Sequence, residues 1–325
     1  MEKHTYRSVF WPLILIGVGV IWLLTVMGAI PTANLSALLS LWPVVLIIAG
    51  LHMLIGRRSV IVSALLALFS LALIVVVLIA GPALGLPETS TLHNRVLTDQ
   101  FNGATSASVD LDLSSQPVYI GPAASADNLF EADLDYYGTL SYSASGSPHR
   151  FIKLDSAVNG ISLNFDLDPS ADWKIGLTPS IPLDLRVNAG SGAGEIDLSE
   201  LNLEAFRFES GSGAFSINLP PSAKAYEADL DSGSGSLDID LPAQTNLTVK
   251  VNAGSGSVNM TLPDNAEVRV EIRDAGSGSV SLPERLERSS GTDKEGIWET
   301  SGYQTANARI LIICQDLGSG AFSLH

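Results

Sequence analysis

Catalysis needs suitable side chains at suitable spacings, and in these 325 residues few candidates meet that test. No serine has glycine two residues away on both sides, so the G-x-S-x-G nucleophile elbow is absent. Gly-Ser-Gly tripeptides occur, but no Gly-Lys-Ser/Thr follows them to cradle phosphate as a P-loop does. His93 and His149 stand apart, without H-E-x-x-H or a His-Cys spacing for zinc. The single cysteine, Cys314, lies in an apolar run and reads as a small buried side chain. One thiol also excludes an internal disulfide framework. Asp229-x-Asp231 and Asp238-x-Asp240 could offer carboxylates to calcium, but the G-G-x-G-x-D-x pattern of calcium β-rolls is not met. Alternating with apolar residues, they read as outward groups that keep a surface soluble, and calcium binding stays open at this level. The expectation is no enzyme and no cofactor.

The glycines themselves carry the strongest pattern. Gly-Ser-Gly recurs with its first glycine at Gly190, Gly211, Gly233, Gly254, Gly276 and Gly318 and its second at Gly192, Gly213, Gly235, Gly256, Gly278 and Gly320. The intervals are 21, 22, 21, 22 and 42, the last reading as two periods. Period-two flanks surround the tripeptides, as in Phe206-x-Phe208-x-Ser210 before and Phe215-x-Ile217-x-Leu219-Pro220 after, and this is the signature of half-buried strands. The elements implied are strand, glycine corner, strand and a proline-containing return, stacked as a β-solenoid of 21–22-residue turns. At the corner the apolar parity shifts by one residue. A glycine bulge explains this, because glycine reaches backbone angles closed to other residues. The intervening Ser191, Ser212, Ser234, Ser255, Ser277 and Ser319 would stack turn on turn, either as an inward or rim ladder of hydroxyls or merely as small polar residues. The polar stretch Glu284–Asn307 reads as a loop or degenerate turn, and a final strand pair would leave His325 near an open edge. Val109-x-Leu111-x-Leu113, Ile161-x-Leu163-x-Phe165 and Trp173-x-Ile175-x-Leu177 extend the strand pattern upstream. The predicted organisation is 1–85 transmembrane, 86–183 N-terminal β turns or cap, and 184–325 repeat solenoid.

Charge divides the chain the same way. Residues 1–85 hold Lys3, Arg7, Arg57 and Arg58 against Glu2, whereas the remainder holds 14 basic and 33 acidic side chains, a net of −19. Such an acidic balance argues against nucleic acid, whose phosphates need Lys and Arg. Ser8–Gly56 and Ser59–Pro87 contain no Asp, Glu, Lys or Arg. A bilayer core needs about 20 apolar residues in a helix. Three spans fit, near Phe10–Ile30, Leu35–Ile55 and Val60–Leu84, with breaks at Pro31-Thr32-Ala33-Asn34 and Gly56-Arg57-Arg58-Ser59. Lys3 and Arg7 with the Arg57-Arg58 hairpin place the N-terminus inside, which puts the acidic β region outside the cytoplasm. His52 reads as a hydrogen-bonded helix residue, because a proton relay needs further ionisable partners in the membrane.

Two stretches also carry a family resemblance. Phe10-Trp11-Pro12-Leu13-Ile14-Leu15-Ile16-Gly17 and Leu41-Trp42-Pro43-Val44-Val45-Leu46-Ile47-Ile48-Ala49-Gly50 resemble the paired helices of LiaI/LiaF-type membrane regions. Trp173–Leu198 with Leu201-Asn202-Leu203, and later Ile297-Trp298, Gly302-Tyr303, Ile310–Ile313 and Gly318-Ser319-Gly320, are similar to the toast-rack β domains of LiaF-type and adhesin-like proteins. The resemblance implies a membrane regulator of a two-component sensor kinase in envelope stress. The expected role is therefore non-enzymatic, in the bilayer, with a membrane sensor kinase or an envelope polymer as partner. A surface adhesin or binding module is the alternative.

Overall fold

The computed structural model describes residues 10–26, 42–54, 60–80, 92–113, 116–136, 138–157 and 172–325. Lys3, Arg7, the two predicted breaks between spans and the Ile161–Phe165 strand lie outside them. The chain divides into two compact units, with the helices in one and Leu92–Ala157 plus Asp168–His325 in the other.

The helices are α1 (Phe10–Val26), α2 (Trp42–Leu54) and α3 (Val60–Ala80). They contain no Asp, Glu, Lys or Arg, with His52 as the one ionisable side chain, and their composition is apolar on every side. They are shorter than the predicted spans. Among the residues whose side chains are described, no helix is long and apolar enough to cross a membrane. Ile48 and Ala67 form a small buried centre, with Leu13, Ile14, Val44, Leu66 and Leu73 packed against it. A Cβ on Gly17 would overlap the Leu71 side chain, so the glycine lets α1 and α3 approach closely. The Ser70 hydroxyl donates to the Leu66 carbonyl (2.7 Å), which satisfies it without a partner from another helix.

The β unit is two sheets wrapped around one apolar core. Upstream lie β1 (His93–Gln100), β2 (Ser106–Asp112), β3 (Val118–Pro122), β4 (Asn128–Tyr136), β5 (Thr139–Ser145), β6 (His149–Ala157) and β7 (Trp173–Leu177). The regular rungs follow: β8 (Leu183–Asn188) with β9 (Gly194–Asp197), β10 (Leu203–Ser210) with β11 (Ala214–Asn218), β12 (Tyr226–Ser232) with β13 (Ser236–Asp240), and β14 (Leu247–Ala253) with β15 (Ser257–Thr261). The C-terminal part holds β16 (Val268–Ile272), β17 (Ser279–Ser281), β18 (Glu287–Gly291), β19 (Gly296–Glu299), β20 (Ile310–Asp316) and β21 (Ala321–Leu324). Sheet I runs β1-β4-β7-β3-β9-β11-β13-β15-β21-β17, and sheet II runs β18-β19-β16-β20-β14-β12-β10-β8-β2-β6-β5.

Each rung contributes one strand to each sheet, and successive rungs pair in parallel. Register explains why the core closes. In sheet I, Ile120, Ile196, Ile217, Ile239, Met260 and Leu324 stand side by side. In sheet II the matching row is Leu185, Phe206, Ala228, Val249, Ile312 and Val270. A single rung could not bury such a face, whereas stacked rungs make it continuous. Antiparallel strands β1, β4 and β5 finish one end of the stack, and β18 and β19 finish sheet II at the other.

Two expectations are overturned at the C-terminal end. The last rung, β20–β21, does not sit at an edge but lies between β14–β15 and β16–β17. His325, though exposed, is tied by its backbone to the β15 rung, its N–H donating to Met260 (3.0 Å) and its carbonyl accepting from Leu262 (2.9 Å). The reason is visible in the intervening segment. Glu284–Asn307 contains the hairpin β18–β19, paired antiparallel to β16, so the chain overshoots by one rung, turns back and fills the gap it left.

Candidate binding surface

All six tripeptides align in one column. Gly211 N–H donates to Gly190 O, Ser234 N–H to Gly211 O, Ser255 N–H to Gly233 O, Ser319 N–H to Gly254 O and Ser277 N–H to Gly318 O, over 2.5–2.9 Å. Backbone lies directly on backbone here. A Cβ on Gly213 would overlap the carbonyl oxygen of Gly192, and Gly235 and Gly256 are placed likewise against Gly213 and Gly235. The expected reason for glycine needs correcting accordingly. Positive φ occurs at Gly190 (52°), Gly276 (53°) and Gly318 (51°), but not at Gly211, Gly233 or Gly254. At most corners close stacking excludes a side chain, rather than the backbone angle.

The serines between the glycines point outward. Ser191, Ser212, Ser234, Ser255, Ser277 and Ser319 are all exposed, which makes them a rim feature and not an inward ladder. Ser319 Oγ donates to Ser255 Oγ at 3.1 Å. Five of these serines, with Ser236, Ser257 and Ser279 from the strands that follow, line an open groove of about 720 Å³. Every other residue lining it is Gly or Ala, so no base stands beside a hydroxyl to make it a nucleophile. The groove can offer hydrogen bonds and a close approach to backbone, and nothing more reactive.

The outer faces of the two sheets differ in charge. On sheet II, Arg207 pairs with Asp229 (3.3 Å), Lys250 with Glu227 (2.6 Å) and Arg269 with Glu299 (3.9 Å), each across neighbouring strands. Sheet I presents Glu195, Asp197, Asp238 and Asp240 beside Ser216, Asn218, Asn259 and Thr261. Asn259 Nδ2 donates to Asp238 Oδ1 (2.7 Å), a neutral answer to the carboxylate. Among the described ion pairs, the only sheet I residue is Asp99. Tyr119 registers this field: partial burial, then Asp197, Glu195 and Glu200, push its phenol above the usual range. Among the described residues no group of His, Cys, Asp or Glu is arranged to hold a metal ion.

Some features could not be read from the spacing. Arg150 donates through Nε and Nη2 to both Asp99 oxygens at 2.7 Å, joining β6 to β1, with side chains only 13% and 10% exposed. His149 bridges two serines, with Nδ1 2.7 Å from Ser106 Oγ and Nε2 2.8 Å from Ser108 Oγ. Both ring nitrogens are thereby occupied by hydroxyls on one sheet face, a hydrogen-bonding rather than metal-binding arrangement. Cys314 is fully buried, and burial lifts its thiol to about 12.

With this geometry in place, the comparisons are informative. A profile of the LiaF transmembrane domain matches residues 10–85. The N-terminal domain of toast_rack (DUF2154) matches 88–240, and the toastrack domain DUF4097 matches 180–315. The chain is a LiaF-like toast-rack protein. A crystal structure of a proposed cell adhesion protein from Clostridium sporogenes is similar over 72% of this LiaF-like chain and 99% of its own, at 17% identity and a TM-score of 0.50, which supports the fold. A proposed adhesin from Bacteroides fragilis aligns over 72% of this chain and 97% of its own at 12% identity and a TM-score of 0.27. No curated protein matches the chain.

Proposed function

We propose that this LiaF-like chain is a non-enzymatic, multi-pass envelope protein that regulates a membrane sensor kinase. In this reading α1–α3 belong to three spans near 10–30, 35–55 and 60–84, and the acidic toast-rack stack lies outside the cytoplasm. The carrying observation is the outward display of large apolar side chains on all three helices, with Leu15 68%, Trp22 66% and Ile61 72% exposed, in the segment that matches the LiaF transmembrane domain. Helices apolar all round need an apolar surrounding, either lipid or other helices. The charge-free stretches beyond the described helix ends supply the missing length. The absence of any titratable side chain in the serine groove supports a binding role over a catalytic one.

The test is a photo-crosslinking residue at Trp22 in native membranes. A sensor kinase in the adduct supports the regulator. Recovery of wall polymer through 180–325, with no kinase, favours the adhesin reading, towards which the similarity to the Clostridium protein points through fold alone. For orientation, Asp293→Cys with Cys314→Ala should react with an impermeant thiol reagent on intact cells, and labelling only after lysis would reverse the topology.

A further inference from the structure

Among the described residues four strands end the two sheets, β1 and β17 in sheet I and β5 and β18 in sheet II. An open edge invites pairing with another chain, and proteins blunt edges by shortness, charge or bulges. Three of these edges are blunted. β17 has 3 residues. β18 carries Glu287 and Arg288, and its register shifts between Arg288 and Ser290. β1 carries Arg95 and Asp99, with a shift between Asp99 and Gln100. β5 has none of these devices. Its 7 residues, Thr-Leu-Ser-Tyr-Ser-Ala-Ser, include no charge, glycine or proline, and pair with β6 without interruption from Thr139↔Ala157 to Ser145↔Phe151. In a chain of net charge −16, this is a full-length edge along which two copies can approach without like charges meeting.

We propose that β5 is a self-association edge, taking the β5 of a second copy of this chain antiparallel about a two-fold axis at Tyr142. In that register the strand is its own complement. Tyr142 meets Tyr142, Leu140 meets Ala144, and Ser141 meets Ser143. Ser141, Ser143 and Ser145 are exposed, whereas Leu140, Tyr142 and Ala144 are half-buried against the core, so hydroxyl faces hydroxyl and apolar faces apolar. The Tyr142 hydroxyl is buried without a hydrogen-bond partner in its own chain, and the axis brings a second phenol beside it. Isologous pairing of this kind closes at two copies. The inference stands apart from the choice between regulator and adhesin.

The test uses the full chain in mild detergent. Wild type should run at twice the 34.3 kDa protein mass, and Ser141→Lys with Ser143→Lys, which sets lysine against lysine, should halve it while leaving the far-UV circular dichroism spectrum unchanged. Opposed Cα atoms in an antiparallel pair lie about 4.5–5.5 Å apart, within disulfide range. Tyr142→Cys in a Cys314→Ala background should therefore give a linked dimer on oxidation, and Ser289→Cys on β18 should not. If Tyr142→Cys misfolds, Ser141→Cys with Ser143→Cys replaces it. A monomeric wild type, a dimer indifferent to the lysines, or no linkage through β5 overturns the proposal.

Discussion

At Gly235 even one methyl group has nowhere to go, because the carbonyl of Gly213 fills the space. Gly235→Ala is expected to lose about 1–3 kcal/mol, the usual cost of forcing atoms into packed surroundings. Ser234→Ala, next door but exposed, should stay within about 0.5 kcal/mol. Chemical denaturation of the two variants checks the pair. Burial also sets a pH dependence. The thiol of Cys314 is lifted to about 12, as is the phenol of Tyr142. Between its ordinary pKa and the raised one, each group keeps its proton folded and loses it unfolded, so stability falls as pH rises. The loss should begin near pH 9 and steepen toward pH 11. Cys314→Ala should flatten the first part of that slope in melts run from pH 8 to pH 11.

At the scale of elements, the ends of the stack matter most. Arg150 and Asp99 tie sheet II to sheet I where the rungs stop. Removing one member of a mostly buried pair leaves a stranded charge, so Arg150→Ala should cost about 3–5 kcal/mol and open β1 to faster hydrogen exchange. The other end gives a sharper test. Phe322 is buried on a strand flanked by β15 and β17. Phe322→Ala is expected to cost about 3–5 kcal/mol, a core-sized loss. A loss below about 1 kcal/mol would contradict the inserted rung.

For the molecule as a whole, much of the architecture was legible because it repeats. The tripeptides at Gly190 through Gly320 marked a column, and period-two flanks marked which residues face the core. Other features were hidden by the same logic. Spacing along the chain says nothing about a return, so the position of Gly318 between Gly254 and Gly276 could not be read from an interval of 42. The residues of β18 are all exposed, so no apolar alternation announced a strand. Asp99 and Arg150 belong to strands of opposite sheets, and only three dimensions bring them together. The sheet I carboxylates, without described ion pairs on their own face, imply self-repulsion. Raising salt from 0.01 M to 0.15 M shortens the screening length from about 30 Å to about 8 Å and should raise the melting temperature modestly. No change would mean that neighbouring dipoles already neutralise the face.

The inserted rung also bears on biosynthesis. A ribosome delivers β16 to β19 before β20 exists, so these strands emerge with their docking site still vacant. Until β20 and β21 leave the tunnel, the place between β14–β15 and β16–β17 stays empty, and this end of the stack cannot close. A product cut short before Ile310 would thus expose two raw surfaces to proteases and chaperones.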